Sequence, residues 1–271
     1  GLNALARLTK GKVFLSISPA TKNEGLRKAA NVTITEFEGP HPAGNTGTHI
    51  NYLAPVNRGE VVWTLNALDV LFIGRLFNKG VVDLTRTVAL TGSEVKQTGY
   101  YNMLVGTELG KLFADNVNGK GNLRYISGNV LTGTRIEAEG ALRATHSQLT
   151  VIPEGDDVHE AFGWASLSPK RYSAGATYLK LKKAYRLDAR LLGGPRAIIV
   201  SNEYDKVFPL DIFPEQLIKS ILAFNIDKME QLGIYEVAPE DFALCEFVDT
   251  SKLELQRIVR TGLDMLRKEM E

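Results

Sequence analysis

A loop rich in glycine and proline, residues 37–49, follows a run of alternating polarity from Val32 to Phe37. Such alternation is typical of a strand. The loop contains three glycines, two prolines and two histidines. Because glycine permits positive φ and proline fixes φ while removing a hydrogen-bond donor, we predict a defined loop, rather than helix or strand, throughout Gly39 to His49. Ligands often bind where strands of α/β sheets end, so the candidate contact residues are Gly39, His41, Gly44, Gly47 and His49.

A phosphate-binding loop is the first alternative for the same residues. Gly39 to Thr46 has the spacing of a Walker A motif, with Asn45 where that motif has lysine. The lysine would supply the charge that reaches the phosphates, and backbone N–H groups would form the cradle. Pro40 and Pro42 each remove one of those donors. The sequence therefore disfavours a nucleotide-phosphate site here.

Composition excludes several classes of function. The 271 residues are 44% hydrophobic and 23% charged, with a net charge of +1, so nothing favours a nucleic-acid partner. Cys245 is the single cysteine, which leaves it without a disulfide partner and rules out a cysteine cluster within the chain. These features fit a reducing, cytoplasmic compartment, and no apolar run is as long as a membrane span. The chain begins at Gly1 without an initiator methionine, so we expect a fragment of a longer protein.

The pattern along the chain predicts a multidomain protein of α/β and α+β class. Residues 1–82 alternate strands and helices, which predicts an α/β domain with about half of a parallel sheet. Residues 83–155 predict a small β-grasp-like unit with one helix, Val105 to Asp115, and several short strands, one of them Asn129 to Leu131. The fold of residues 156–200 stays uncertain. Residues 201–271 predict a helical domain with Pro214 in a first turn and a capping box from Ser251 to Glu254.

Constellations that could carry catalysis or bind metal are sparse, and we assign no catalytic or metal-binding residue. No H-E-x-x-H or paired C-x-x-C pattern occurs around His41, His49 or His159, and Ser166, Ser168 and Ser173 lack a G-x-S-x-G context. The paired acids Asp156-Asp157 and Glu240-Asp241 are expected on the solvated surface. Core packing is favoured over stacking on a quinone or flavin ring for the aromatic residues Tyr100, Tyr101, Trp164 and Tyr172.

Charge is unevenly distributed in the second half of the chain. Residues 163–196 contain eight Lys/Arg and one acid, whereas residues 201–271 contain fifteen Asp/Glu and eight Lys/Arg. A basic segment of this kind could face anionic lipid or a partner protein of a complex. A solvent-exposed surface is the favoured interpretation, because runs of charged residues usually lie on the solvated surface without binding a partner.

The amino-acid sequence of the loop, GPHPAG-x-x-GTH, resembles a segment of the NqrA family, the A subunits of the Na⁺-translocating NADH:quinone oxidoreductase. The resemblance extends in order and spacing along nearly the whole chain. It is carried by residues 1–14, 38–44, 47–49, 66–77, 88–92, 126–133, 148–155, 162–164, 202–212 and 240–248. It implies the second half of a Rossmann-like domain, an SLBB-like β-grasp domain and a C-terminal helical domain, with the N-terminal region of the family missing.

The resemblance also implies a role. It describes a cofactor-free peripheral subunit on the cytoplasmic face of the bacterial inner membrane, docked on the membrane-embedded B subunit. Other subunits of the complex carry the flavins and iron centres, and electron flow from NADH to ubiquinone is coupled to sodium transport. The five loop residues then become candidates for contact with quinone or another subunit, and the isolated fragment is expected to be inactive. The alternative is a stand-alone soluble ligand-binding β-grasp module.

We predict that the isolated chain is colourless. One cysteine cannot supply the four thiolates that iron–sulfur clusters usually require, and the lysine-free loop is a poor phosphate cradle for a flavin nucleotide. A visible absorption spectrum of anaerobically purified protein tests this, and stoichiometric flavin or iron–sulfur bands would contradict it.

Overall fold

The computed structural model describes residues 1–118, 121–156, 172 and 184–271. Its α-helices and strands form two compact units, each described separately below. The first unit comprises Gly1–Asp83, Ile198–Asp249 and Leu253–Glu271, and the second comprises Leu84–Ala197 and Thr250–Lys252. The predicted combination of α/β, α+β and C-terminal helical parts is confirmed.

The α/β part of the first unit is built on two parallel strands. β1 (Phe14–Ile17) pairs with β2 (Thr33–Glu36) from Phe14↔Thr33 to Ile17↔Glu36, as the sequence predicts. The helices are α1 (Leu2–Leu8), α2 (Glu24–Arg27), α3 (Thr46–Leu53) and α4 (Ala67–Lys79). Gly80 ends α4 in the left-handed conformation at φ 68°, which is the usual role of glycine after a helix.

The helical part of the first unit contains most of its core. It comprises α6 (Pro214–Leu222), α7 (Ile226–Gln231), a 3₁₀ turn at Ile234–Glu236, a second at Pro239–Phe242, α8 (Ala243–Val248) and α9 (Leu255–Met270). Pro214 lies in the first turn of α6, as predicted. Apolar side chains from every one of these elements are buried together, including Leu217, Ile234, Phe242 and Val259.

The predicted capping box at Ser251 to Glu254 is wrong. α9 begins at Leu255, three residues later than an N-cap at Ser251 would place it, with Glu254 at the N-cap and no side-chain capping bond from that residue. The Gln256 N–H, an early donor of α9, instead donates to Glu246 Oε2 of α8 at 3.0 Å. Tertiary packing therefore supplies the cap that the local motif does not.

The second unit is a five-stranded mixed sheet in the order β4-β3-β7-β5-β6. Its strands are β3 (Thr85–Thr91), β4 (Gly99–Leu104), β5 (Leu123–Ser127), β6 (Thr134–Ile136) and β7 (Gln148–Pro153). β3 and β7 run parallel, and the other pairs are antiparallel. The helix α5 (Gly110–Ala114) contributes Phe113 to a core with Val88, Leu90, Leu149 and Val151. One helix on a small sheet is the α+β arrangement that the sequence predicts.

Three local expectations in this unit need correction. β4 was not predicted, and the helix expected from Val105 to Asp115 is confined to Gly110–Ala114. The strand expected at Asn129 to Leu131 is a turn, because Asn129 Oδ1 accepts hydrogen bonds from the N–H groups of Leu131 and Thr132 at 2.8 and 2.9 Å. This local bonding competes with a strand ladder, and the strand forms at Thr134–Ile136 instead.

Cys245 lies at the centre of the helical core. The side chain is fully buried, and burial raises the pKa of the thiol to about 12. Close by, Tyr204 donates its hydroxyl hydrogen to Asp249 Oδ1 at 2.8 Å, and Asp249 Oδ2 accepts from the Leu253 N–H at 2.8 Å. The cysteine therefore acts as a small core residue with little thiolate at neutral pH.

We predict that Gly262→Leu lowers the free energy of unfolding by about 1–3 kcal/mol through overpacking. A Cβ at Gly262 would lie 3.0 Å from both Ile221 Cγ1 and Ile234 Cδ1, so α9 has no room for a side chain there. Urea unfolding followed by circular dichroism measures the change. Arg260→Leu, at an exposed position of the same helix, is the control. Equal stability of the two variants would contradict close packing at Gly262.

Candidate functional site

The candidate loop leaves the carboxyl end of β2, where the sequence places it. We define the loop–helix segment as residues 37–53, which comprise an irregular loop at 37–45 followed by α3. The expectation of a loop from Gly39 to His49 is therefore wrong for its last four residues, 46–49. Asn45 is the N-cap of α3, with extended dihedrals of −73° and 144°, so Gly47, Thr48 and His49 are helical.

The five candidate residues have different environments. Gly39 has φ +145°, whereas Gly44 and Gly47 do not adopt positive φ, so only Gly39 uses the conformational freedom of glycine. Gly44 is exposed, and a Cβ there would meet nothing within 4 Å. His41 is exposed, His49 is half-buried and Gly47 is buried. Gly39, His41 and Gly44 thus form an outer rim, with Gly47 and His49 behind it.

The loop is held against α3 by its own polar groups. His49 Nε2 lies 2.9 Å from the carbonyl oxygen of Ala43 and donates to it in the tautomer that carries hydrogen on that nitrogen. The His49 ring also packs on Phe37, with centroids 4.1 Å apart. Thr48 Oγ1 donates to the Pro42 carbonyl at 3.2 Å. These bonds use His49 to shape the loop, so the two loop histidines do not converge on one metal site.

α3 and the residues after it pack on the helical part of the same unit. Asn45 Nδ2 donates to the Glu240 carbonyl oxygen at 3.4 Å, and Asn51 Nδ2 donates to Glu236 Oε2 at 3.1 Å. Beyond the segment, Arg58 pairs with Glu230 at 3.2 Å. The loop–helix segment is therefore fixed by residues almost two hundred positions later in the chain.

Asp241 is the buried centre of this contact. The residue is 1% exposed, and its Oδ2 accepts from the Ala238 N–H at 2.8 Å. A Cβ on Gly47 would lie 2.7 Å from Oδ1 and 2.9 Å from Cγ of Asp241, so only glycine fits at that position of α3. Burial, helped by the charge of Glu240, raises the pKa of Asp241 to about 6, although the Ala238 N–H and the Asn45 amide oppose the change.

The expectation of a solvated Glu240-Asp241 pair is wrong for Asp241. Pro239 starts the 3₁₀ turn, and Asp241 occupies its third position, from which the carboxylate reaches back to the Ala238 N–H. Proline at the first position with Asp at the third was the local sign of a capping role. Its burial under Gly47 had no sign in the sequence.

The remaining aromatic and histidine candidates do not join this segment. Tyr100 is 81% exposed on the edge strand β4, so the expected core packing is wrong for this residue, and the Tyr101 hydroxyl accepts from Asn116 Nδ2 at 2.9 Å. The Tyr172 ring meets Tyr185 edge-on at 5.4 Å. Trp164, Asp157, His159 and the serines at 166, 168 and 173 lie outside the described residues.

In the described part of the basic segment, two arginines form ion pairs with acidic residues of the same unit. Arg186 Nε pairs with the buried Glu94 at 2.6 Å and holds the pKa of that carboxyl below its usual range. Arg190 pairs with Asp188 at 2.7 Å. The lysines and the arginine of 163–183 lie outside the described residues.

A serine–histidine pair in the second unit was not predicted. Ser127 Oγ lies 2.8 Å from His146 Nδ1, with the donor set by the imidazole tautomer, and accepts from the Arg143 N–H at 3.1 Å. Ser127 is fully buried. The partial burial of the His146 ring lowers the pKa of that imidazole. A hydroxyl that no substrate can reach is not a nucleophile, and this pair is structural.

An open cavity of about 570 Å³ lies at the amino ends of β1 and β2, opposite the loop. Its lining includes Asn3, Arg7, Lys12 and Asn31 and none of the five candidate residues. Within the described ranges, no group of three or more His, Cys, Asp or Glu side chains is arranged to hold a metal ion. Nor does any helix in the described part of the chain combine the length and apolar character needed to cross a bilayer.

Two family models match the chain. The model described as the NqrA second alpha/beta domain matches residues 1–82, and the NQRA SLBB model, described as the NQRA C-terminal domain, matches residues 87–138. The first covers the α/β part that contains the loop–helix segment. The second covers most of the five-stranded sheet.

Curated relatives align with almost the whole chain. The A subunit of the Na(+)-translocating NADH-quinone reductase of Serratia proteamaculans (strain 568) is 39% identical over 274 residues. The proteins of the same name from Pasteurella multocida (strain Pm70) and Neisseria meningitidis serogroup B are each 37% identical, over 272 and 274 residues. Each alignment covers 99% of this chain and 60% of the relative, so the chain spans about three fifths of their length.

We predict that Gly47→Ala lowers the free energy of unfolding by about 1–3 kcal/mol, because the new methyl group would overlap the Asp241 carboxylate. Gly44→Ala, where the space is open and φ is not positive, should be neutral or slightly stabilising. Thermal unfolding of both variants measures the difference. In the double variant Gly47→Ala/Asp241→Ala the two losses should be less than additive, and strict additivity would argue against contact between these residues.

Proposed function

The chain belongs to the NqrA family, the A subunits of Na⁺-translocating NADH-quinone reductases, and on that premise we propose that it forms a cofactor-free, peripheral part of such a protein. In this role it contributes to quinone reduction and to assembly of the complex. The complex couples electron flow from NADH to quinone with export of Na⁺. The chain lies on the cytoplasmic face of the bacterial inner membrane, docked on the membrane-embedded B subunit.

One observation carries this proposal. Identity of 37–39% extends over 99% of the chain and is not confined to the glycine loop. Alignment over such a length includes both compact units and the helical C-terminus. A stand-alone ligand-binding module would account for the second unit but gives no reason for the agreement elsewhere.

The proposal places the redox cofactors in other subunits. A four-thiolate cluster needs cysteines that this sequence lacks, since Cys245 is the only one. That thiol is also buried, with its pKa raised to about 12, so it is a poor metal ligand or nucleophile at neutral pH. Hydride or electron transfer requires a bound redox group. Because the proposal places those groups in other subunits, we assign this chain the functions of positioning and contact.

The loop–helix segment is the part of the chain that we assign to contact with quinone or another subunit. Its outer rim, Gly39, His41 and Gly44, is exposed and presents an imidazole that can donate to or accept from a quinone oxygen or a partner's polar group. Gly47 and His49 act from behind the rim, since their contacts are with Asp241 and Ala43. Rigid support behind an exposed rim is the arrangement expected of a binding loop.

We predict that His41→Ala in the full-length NqrA protein lowers kcat/KM for quinone about tenfold in the purified complex, equivalent to about 1.4 kcal/mol. NADH-driven reduction of a soluble quinone measures the rate, and copurification with the membrane subunits measures assembly. Tyr100→Ala, which removes another exposed aromatic ring, from the second unit, is the control.

The results of this experiment separate the two roles of the rim. Slower quinone reduction in an intact complex assigns His41 to quinone, whereas loss of copurification assigns it to an interface between subunits. Wild-type rates and assembly in His41→Ala would remove His41 from both roles. Failure of the wild-type chain to copurify with the membrane subunits would refute the proposed function and favour the stand-alone module.

A further inference from the structure

The Asp241 carboxyl group has one oxygen without a hydrogen-bond partner. Oδ2 accepts from the Ala238 N–H, but Oδ1 is buried and unpaired. The group is covered by Gly47 of α3, whose missing Cβ makes the approach possible. An unpaired buried carboxylate oxygen is unfavourable when charged, so this contact depends on the protonation state of the group.

The charged and titratable groups around Asp241 do not compensate an ionised carboxylate. Glu240, on the same 3₁₀ turn, acts on it electrostatically and opposes ionisation. Glu236, on the preceding turn, accepts from Asn51, and His49 of α3 is bonded to Ala43. The buried face of α9, which packs on the same turn, is apolar and contains Leu255, Val259 and Leu266.

Three polar features favour the charged form, one of them the Asn45 amide, and burial outweighs them. The Ala238 N–H donates directly to the carboxylate, and the amino-terminal end of α3 at Gly47 presents the positive end of a helix dipole. Water would solvate the charge better than these groups, and Gly47 of α3 covers both carboxylate oxygens, so separation of α3 from the turn would expose the carboxylate to water. Ionisation therefore favours separation of the two elements.

We propose that Asp241 is a proton-operated latch: when neutral it holds α3, and with it the glycine loop, on the helical part of the first unit, and when ionised it loosens that contact. The latch positions the loop without touching any ligand. It is a property of packing within this chain and does not depend on whether the loop contacts quinone.

The direction and the pH window follow from the carboxyl group. Its pKa rises from an ordinary value of 3.8 to about 6 in the closed contact, mainly through burial. A group whose pKa is raised on closure contributes stability that is complete below the lower value and is lost as pH rises toward the higher one. The equilibrium constant for opening should therefore increase by about tenfold per pH unit between about pH 4 and 6, and reach a plateau above that.

Hydrogen–deuterium exchange of the wild-type chain between pH 4 and 7.5 tests the latch. After correction for intrinsic exchange, the peptide containing Thr46–Leu53 should lose protection as pH rises to about 6 and change little beyond it. The peptide containing Pro214–Leu222 reports unfolding of the whole unit and should stay protected. The same pH dependence in both peptides would overturn a local latch, as would a flat response in α3.

Two variants separate Asp241 from other carboxyl groups. Asp241→Asn is neutral at every pH and should keep α3 protected throughout, whereas Glu240→Gln should retain the transition and move it to lower pH. A persisting transition in Asp241→Asn overturns the proposal.

If Asp241→Asn does not fold, carboxyl ¹³C NMR of the wild-type protein tests whether ionisation of Asp241 controls the α3 contact. Titration of Asp241 together with the α3 amides supports the latch, and their independence refutes it. Hydrogen exchange and the NMR titration are both measured on the chain alone, so they test the latch even if the chain fails to join the complex.

Discussion

The contact between Gly47 and Asp241 joins two parts of the first unit that are far apart in sequence. The α/β part ends at Asp83, and the helical part begins at Ile198, yet both belong to one compact unit. At their contact, α3 approaches the 3₁₀ turn so closely that a single methyl group would collide with the carboxylate. Bonds from Asn45 and Asn51 surround this point, so the position of the loop depends on it.

This dependence gives the loop–helix segment two distinct faces. The inner face consists of groups with fixed partners, namely Gly47 on Asp241, His49 on Ala43 and Thr48 on Pro42. The outer face carries His41 and Gly44, which are exposed. A binding loop works when its backbone is supported and its rim is accessible, and the segment has both properties. Loss of the inner contacts would change the position of the loop and of its exposed rim.

The helical core also contains buried polar groups with fixed hydrogen-bond partners. Cys245 is packed as an apolar residue, and Tyr204 bridges to Asp249, whose second oxygen accepts the Leu253 N–H. Both oxygens of Asp249 are thereby satisfied, and burial together with this carboxylate raises the pKa of Tyr204. Asp241 differs because one oxygen is left unpaired. A satisfied network stabilises a core throughout the neutral pH range, whereas an unpaired carboxyl group makes stability depend on protonation.

The sequence by itself determined the class of fold, the parallel pair β1–β2 and the Pro214 helix start, because these depend on short-range periodicity and on backbone preferences of single residues. It also indicated the resemblance to the NqrA family, and the alignment with the Serratia relative extends over 99% of the chain. Local pattern placed Asn129 in a strand and Ser251 in a capping box, and in both places side-chain bonds gave another result. Only the tertiary structure decided that Gly47 is helical and that Asp241 is buried beneath it. The two residues are 194 positions apart, and a close approach across that distance leaves no periodic trace in the sequence.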